Sequence, residues 1–206
     1  MFSFDHFSTT LEKLGATQDV ETFELLAALY SEASRFYHDQ SHVSECLRQF
    51  QKLQAQAERP HEIEMAIWFH DAIYDTQASD NEEKSADLAV ERLSIIHVAT
   101  ASIERIADMI IATKTHQPTS ADCKLMVDVD LGILGAANEA FEQYDQDIRR
   151  EYHWVPEEVY VPGRAKVLKS FLERDIIYHT PQLRNTFEES ARTNLARKIQ
   201  ELEAGT

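Results

Sequence analysis

The chain has 206 residues, a formal net charge of -16, and only 5 glycines and 5 prolines. Such an acidic protein repels the phosphate backbone, which argues against a nucleic-acid polymer as partner, and so few turn residues argue against a sheet of many short strands. No stretch approaches the roughly 20 apolar residues that span a bilayer, and the N-terminus lacks the basic start and apolar core of a signal peptide. We therefore expect one all-α, cytoplasmic domain over residues 1–206, with no membrane partner.

Apolar residues recur at helical spacing along most of the chain. The expected metal-binding core spans about residues 37–135, and C-terminal helices follow over 138–203. Pro162–Gly163 is expected to break or kink the segment that contains it. The predicted helical segments, in chain order, are 20–34, 41–56, 61–74, 81–93, 101–114, 124–137, 138–152, 156–179 and 185–203.

Helix starts are predicted from residues whose side chains accept hydrogen bonds from free backbone N–H groups. Asp19 and Ser41 are expected to cap the first two segments, and Asp80 with Glu83 is expected to form a capping box. The two cysteines, Cys46 and Cys123, lie far apart, which predicts buried, reduced thiols and no disulfide framework.

Two short strings concentrate histidine and aspartate. In YHDQSH, His38 and His42 are four residues apart, a spacing that is more often a surface pair than a metal site. In WFHDAIYD, His70 and Asp71 lie among apolar residues, where an unpaired carboxylate is costly to bury. Asp71 therefore needs a helix N-terminus, a buried arginine or a metal, and a metal would also account for His70.

A third string, KLMVDVDLGILG, carries two aspartates on nearly opposite helical faces. The helical neighbours of Asp130 are apolar, whereas those of Asp128 include Lys124 and Gly132. We therefore predict Asp130 as a ligand, with Asp128 either supporting the ligands or facing solvent.

Together these strings predict a metal site of two imidazoles and two carboxylates, formed by His42, His70, Asp71 and Asp130. Such a mixed nitrogen and oxygen set suits a divalent ion (Mn, Mg, Fe, Co, Ni or Zn) and leaves positions open for water. Water on such an ion is acidified and can attack phosphorus near neutral pH, with Asp71 orienting and deprotonating it.

The order His42, His70–Asp71, Asp130 resembles the HD superfamily of metal-dependent phosphohydrolases. The strings YHDQSHV, WFHDAIYD, DNEEKSA, DVDLGILG and IRREY resemble a bacterial group of predicted HD phosphohydrolases, from about Tyr37 to the C-terminal segment. YHDQSH is also similar to the Tyr-His-Asn-x-x-His string of the cyclic-nucleotide phosphodiesterases in that superfamily, with Asp39 in place of asparagine. The resemblance implies an HD-type helical domain, in which His38 donates a proton to the leaving oxygen and His42 is a ligand.

Further candidates each have a structural alternative. Asp75, four residues after Asp71, either holds a ligand or water or simply caps a turn. Glu82 and Glu83 fit an acidic first helical turn, and the resemblance implies that one of them faces the site. Lys114 and His116 could contact phosphate, or His116 could ligate a second metal, but favourable charge at a helix end is the preferred interpretation of both. Arg149 could likewise belong to a charged helix end, and Arg164 could bind phosphate through its guanidinium.

The sequence thus predicts a metal-dependent phosphohydrolase acting on a small phosphorylated metabolite or nucleotide. One alternative is a non-catalytic metal- or nucleotide-binding regulatory module on an HD scaffold. Another is a helical interaction protein without metal, in which the polar side chains satisfy one another. A second copy of the chain, forming a homodimer, is a candidate partner in each case.

Overall fold

The computed structural model describes residues 1–205 and contains helices but no strands in that range. The predicted all-α fold is confirmed. Two short 3-10 helices, Gln54–Gln56 and Leu131–Gly135, supplement the α-helices. The α-helices of the described chain are α1 (Phe4–Lys13), α2 (Val20–Leu29), α3 (Gln40–Gln51), α4 (Pro60–Phe69), α5 (Asn81–Ile95), α6 (Thr100–Ala112), α7 (Ala121–Asp130), α8 (Asn138–Glu151), α9 (Glu157–Leu172) and α10 (Pro181–Ala204).

None of the helices within residues 1–205 has the length and apolar character needed to cross a lipid bilayer. The chain divides into two compact units, Met1–Asp130 and a second unit that begins at Leu131. The prediction of a single domain stays a prediction.

In the first unit, α4 is the central helix. It packs against α1, α3, α5, α6 and α7, and every residue from Glu62 to Phe69 is buried. A helix surrounded on all sides must be apolar around most of its circumference, which explains the run IEMAIWF. Trp68 is fully buried and contacts the rings of Phe2 and Phe7, at centroid distances of 4.8 Å and 5.3 Å. This packing fixes the position of the C-terminal end of α4.

The helix starts agree only in part with the predictions. The cap at Asp19 is confirmed, because its carboxylate accepts from the backbone N–H of Thr22 at 3.0 Å. The cap at Ser41 is wrong: Asp39 caps α3 and accepts from the N–H groups of Ser41 and His42 at 2.7 Å and 3.2 Å. The sequence reasoning also missed α1.

The predicted capping box of Asp80 and Glu83 does not form. Asp80 precedes α5, but its carboxylate pairs with Lys84 at 2.9 Å instead of accepting from the backbone. Glu83 pairs with Lys114 at 2.5 Å. Both carboxylates therefore contact lysines, an alternative that local sequence spacing alone did not exclude.

The helix predicted over 61–74 ends early, at Phe69. Tyr30 donates to the carbonyl of Trp68 at 3.1 Å, and Arg35 donates to the carbonyls of Asp71 and Ala72 at 2.6 Å and 2.8 Å. The bond from Tyr30 takes a carbonyl that a longer helix would have used internally, and the bonds from Arg35 hold the carbonyls of the turn that follows. His70 and Asp71 therefore lie at the helix end and in the following turn, not on a continuous helical face.

In the second unit, the chain does not break at Pro162–Gly163, and the alternative prediction of a kink there stays a prediction. Helix α9 runs through both residues and packs against α10, with Tyr160 and Leu168 buried on either side of the proline. Proline removes one backbone hydrogen bond, and packing of both halves of α9 offsets that loss. Helix α9 ends at Leu172, earlier than predicted, and α10 starts at Pro181, whose fixed φ suits a first helical position.

Candidate metal centre

The four predicted ligands belong to the first unit and come from three helices. His42 is in the first turn of α3, which Asp39 caps, and His70 and Asp71 follow the last residue of α4. Asp130 is the last residue of α7. Because α3, α4 and α7 pack against one another, these helix ends bring the four side chains together.

Four ligand atoms converge closely. His42 Nε2 lies 3.1 Å from His70 Nε2 and 3.2 Å from Asp130 Oδ1. Asp71 Oδ2 lies 3.0 Å from His70 Nε2 and 3.5 Å from His42 Nε2. His70 Nε2 lies 3.5 Å from Asp130 Oδ1. Ligand atoms about 2.1 Å from one ion lie about 3.0 Å apart at right angles and about 3.4 Å apart at the tetrahedral angle. These separations therefore fit ligands of a single ion.

The tautomer of His70 also supports a cation at this point. Its Nδ1 lies 2.9 Å from the carbonyl oxygen of Ile67, which can only accept, so Nδ1 carries the proton. In the neutral imidazole, Nε2 then presents a lone pair toward His42, Asp71 and Asp130. Both imidazoles are buried, with His70 only 1% exposed. Either an added proton or a metal ion must neutralise this group of acceptors.

The pKa shifts describe the proton alternative. Burial would lower the pKa of His70, but the carboxylates of Asp71 and Asp130 outweigh it and hold that pKa well above its ordinary value. Burial would raise the pKa of Asp71, but His70 and His38 lower it. Hydrogen bonds from His116, His42 and His70 likewise outweigh burial and lower the pKa of Asp130. In the metal-free site these shifts favour an imidazolium between two carboxylates, and a divalent ion can replace its proton.

The thiol of Cys46 is a neighbour of this site that the sequence reasoning missed. The prediction that both cysteines are buried and free is confirmed. However, one ligand atom each from His42, Cys46, His70 and Asp130 form a group within 4.8 Å of one another. Cys46 Sγ is 3.8 Å from both ring nitrogens of His42, so it lies beside the ring and not along the Nε2 lone pair. Asp71, at 3.0 Å from His70, is thus the better placed fourth ligand.

His116 lies at the site, where the sequence reasoning favoured a helix-end charge. Its Nε2 is 3.0 Å from Asp130 Oδ2, while the other oxygen of Asp130 faces His42 and His70. His116 has a φ of 51°, in the left-handed region that side chains rarely adopt. This turn after α6 directs the imidazole toward Asp130, and no spacing rule predicts it.

Arg35 organises the turn that carries Asp71. It is buried, and its guanidinium donates to the carbonyls of His38, Asp71 and Ala72 at 3.1, 2.6 and 2.8 Å. Its Nε donates to Glu32 at 3.0 Å. The sequence reasoning allowed a buried arginine as an alternative to a metal for Asp71. Because Arg35 contacts the backbone of Asp71, that carboxylate remains directed toward the histidines.

His38 lies next to the four ligands and helps to lower the pKa of Asp71. Its ring is 5.8 Å from that of His42, centroid to centroid, and stacks on Tyr74 at 4.2 Å. It is half-buried, and its carbonyl is held by Arg35. The imidazole is therefore fixed at the edge of the site, where a bound substrate could reach it.

Several other candidates are engaged elsewhere in the first unit. Asp75 lies beyond the end of α4, is exposed and accepts from the backbone N–H of Gln77 at 2.8 Å, so it caps a turn. Lys114 donates to Glu83 and lies 3.9 Å from Glu82. Asp128 is fully buried, so the solvent-facing alternative for it is wrong.

The two arginine candidates belong to the second unit and are bonded within it. Arg149 donates to the carbonyls of Tyr152 and Val155 at 2.7 Å and 3.1 Å, as expected for a charge at the end of α8. Arg164 is buried and donates to Asp145 at 2.9 Å. Both guanidinium groups thus stabilise local structure.

The first unit therefore contains a buried group of His, Cys and Asp side chains that could hold a metal ion. No family model, curated protein or solved structure matches the chain.

Proposed function

We propose that this protein is a metal-dependent phosphohydrolase of the HD type. The observation that carries the proposal is the convergence of His42, His70, Asp71 and Asp130, in which each histidine Nε2 lies 3.0–3.5 Å from the other and from both carboxylates, as suits one divalent ion. The order of these residues along the chain matches the superfamily that the sequence resembles. A ligand set rich in oxygen and nitrogen is also typical of catalytic and not of structural metal sites, and the side chains of Asp71 and Asp130 remain 18% and 15% exposed.

Each residue has a role in this proposal. His42, His70, Asp71 and Asp130 bind the ion, which would acidify a water molecule and polarise a phosphoryl oxygen. With the ion in place, Asp71 would accept a proton from the attacking water, and the carbonyl of Ile67 fixes the His70 ring through Nδ1. His38, at the edge of the site, donates a proton to the leaving oxygen. Arg35 holds the backbone at both His38 and Asp71, and thus the distance between acid and base.

The proposed substrate is a small phosphorylated metabolite or nucleotide. A net charge of -16 disfavours a long polyanion, whereas a bound cation can neutralise the field locally for a single phosphate group. Cysteine usage is compatible with the reducing cytoplasm, the proposed location.

Metal content and turnover test the proposal together. Purified protein is stripped of metal, reloaded with Mn, Mg, Fe, Co, Ni or Zn, and assayed with phosphomonoesters, phosphodiesters and nucleotides. We expect stoichiometric binding of at least one ion and hydrolysis that Asp71→Asn abolishes. Asp75→Asn is the matched control, since Asp75 lies in the same loop but is exposed. Metal binding without hydrolysis would favour a regulatory module, and absence of metal binding would favour an interaction protein.

A further inference from the structure

The outer surface of α9 carries six exposed residues, which lie on successive turns of the helix. They form two adjacent stripes at helical spacing, Glu158–Pro162–Lys166 and Val159–Gly163–Val167. Val159 and Val167 are 58% and 48% exposed, which is unusual for valine on a helix that packs well on its other side. Apart from its chain neighbours and the backbone of its own helix, no described atom lies within 4 Å of where a Cβ on Gly163 would stand. This surface, the α9 patch, is apolar at its centre and charged at its two ends.

The α9 patch is complementary to itself when two copies run antiparallel. A twofold axis near Pro162–Gly163 places Val159 of one copy opposite Val167 of the other, because each valine lies four residues from Gly163. The same axis places Glu158 opposite Lys166 on the neighbouring stripe, twice. Neither Glu158 nor Lys166 pairs with another charged residue among residues 1–205. Glycine at the centre allows the two helices to approach closely.

The ends of the helix add a second complementary feature. Trp154, in the turn before α9, is 46% exposed. Nine residues separate it from Gly163, so in the antiparallel pair it lies level with residue 172 of the other copy. There, Ser170, Glu173 and Leu202 line a cavity of about 460 Å³ between α9 and α10. An exposed indole in one copy thus meets a cavity in the other.

We propose that the α9 patch is the interface of a twofold-symmetric homodimer. The charge complementarity, the paired valines and the indole opposite a cavity all arise from the same twofold axis. A second copy of the chain is therefore the partner that this surface fits. An interface of one helix pair falls at the low end of specific interfaces, below about 1,200 Å² in total. The dimer should therefore dissociate on dilution. The interface lies within the second unit and is independent of the proposed metal chemistry.

Crosslinking tests the position of the axis. In Gly163→Cys, the two introduced thiols face each other across the axis, and mild oxidation should give a disulfide-linked dimer. Cys46 and Cys123 are buried and should not crosslink. Val90→Cys is the matched control, because Val90 is exposed on α5 in the first unit and should remain monomeric after oxidation. Equal crosslinking of both variants would overturn the proposal.

Analytical ultracentrifugation tests the contacts. We expect wild-type protein to dimerise with rising concentration, and both Lys166→Glu and Glu158→Lys to weaken the dimer several-fold. The variant that carries both substitutions should regain the affinity, because each pair is restored in reverse. Trp154 should also become less accessible to a fluorescence quencher in the dimer, while Trp68 is fully buried throughout. A wild-type monomer at all concentrations, or a dimer insensitive to Val167→Glu, would refute the inference.

Discussion

Replacing Arg35 by methionine should both destabilise the fold and weaken metal binding. Methionine keeps the aliphatic stem but removes the donors to the carbonyls of His38, Asp71 and Ala72. An unsatisfied buried carbonyl costs about 1–3 kcal/mol. The bond to Ala72 is fully buried, whereas the other two carbonyls are partly accessible to water and cost less. Relief from burying the guanidinium offsets part of the loss, so we expect about 3 kcal/mol.

A loss of that size leaves the protein folded, since domains of this kind unfold with about 5–15 kcal/mol. Metal affinity should fall by about 10–100-fold, because the turn that holds Asp71 loses its support. Arg35→Lys should recover part of both losses, as one ammonium group cannot reach all three carbonyls.

Urea denaturation of the metal-free protein and calorimetric titration with Mn²⁺ measure the two effects. Arg48→Met is the matched control: Arg48 lies on α3, is exposed and pairs with the exposed Glu45, so its loss should cost less than about 1 kcal/mol. If Arg35→Met left both the unfolding free energy and the metal affinity at wild-type values, the assigned role of Arg35 would be wrong.

Three further predictions concern the metal site. His42→Ala should lose the ion, whereas His38→Ala should retain it and slow turnover by about 10²–10⁴-fold, as metal analysis and kcat would show; equal metal loss in both variants would contradict these roles. Chelation should lower Tm, and an ion at about 100 times its Kd should restore about 2.7 kcal/mol, so an unchanged melting curve would argue against a specific site. In the metal-free protein, the raised pKa of His70 contributes stability that is fully present below about pH 6.5 and is lost as the pH rises through the pKa of His70 in the folded protein. The lowered pKa values of Asp71 and Asp130 contribute stability that is present above about pH 4 and is lost in stronger acid. Urea unfolding across this pH range should therefore show the greatest stability in weak acid, and a flat profile would count against the coupled site.

Most residues of the candidate site could be predicted from the chemistry of their neighbours in the sequence. A carboxylate among apolar residues must have a compensating partner, and this argument selected both Asp71 and Asp130. The same argument did not decide whether Asp128 is buried or faces solvent. Asp128 is fully buried, although its helical neighbours include Lys124 and Gly132. Helical neighbours describe one face of one helix, while burial depends on every helix packed against it.

Other features could not be read from any local pattern. Two of the three carbonyls that Arg35 contacts lie 36 and 37 residues further along the chain, and His116 reaches Asp130 through a turn with positive φ. Both contacts depend on how α3, α4, α6 and α7 pack. The end of α4 is a related case, because Tyr30 bonds a carbonyl of its last turn and Arg35 holds the carbonyls of the turn that follows.

The sequence by itself determined the helical class and the residue types of the candidate site, because periodic burial and the cost of isolated charge act over a few residues. Tertiary structure alone decided where α4 ends, which atoms converge within 3.0–3.5 Å, and which polar groups hold them. These depend on contacts between segments far apart in the chain. Hydrogen bonds across helices compete there with the local preferences that sequence patterns report.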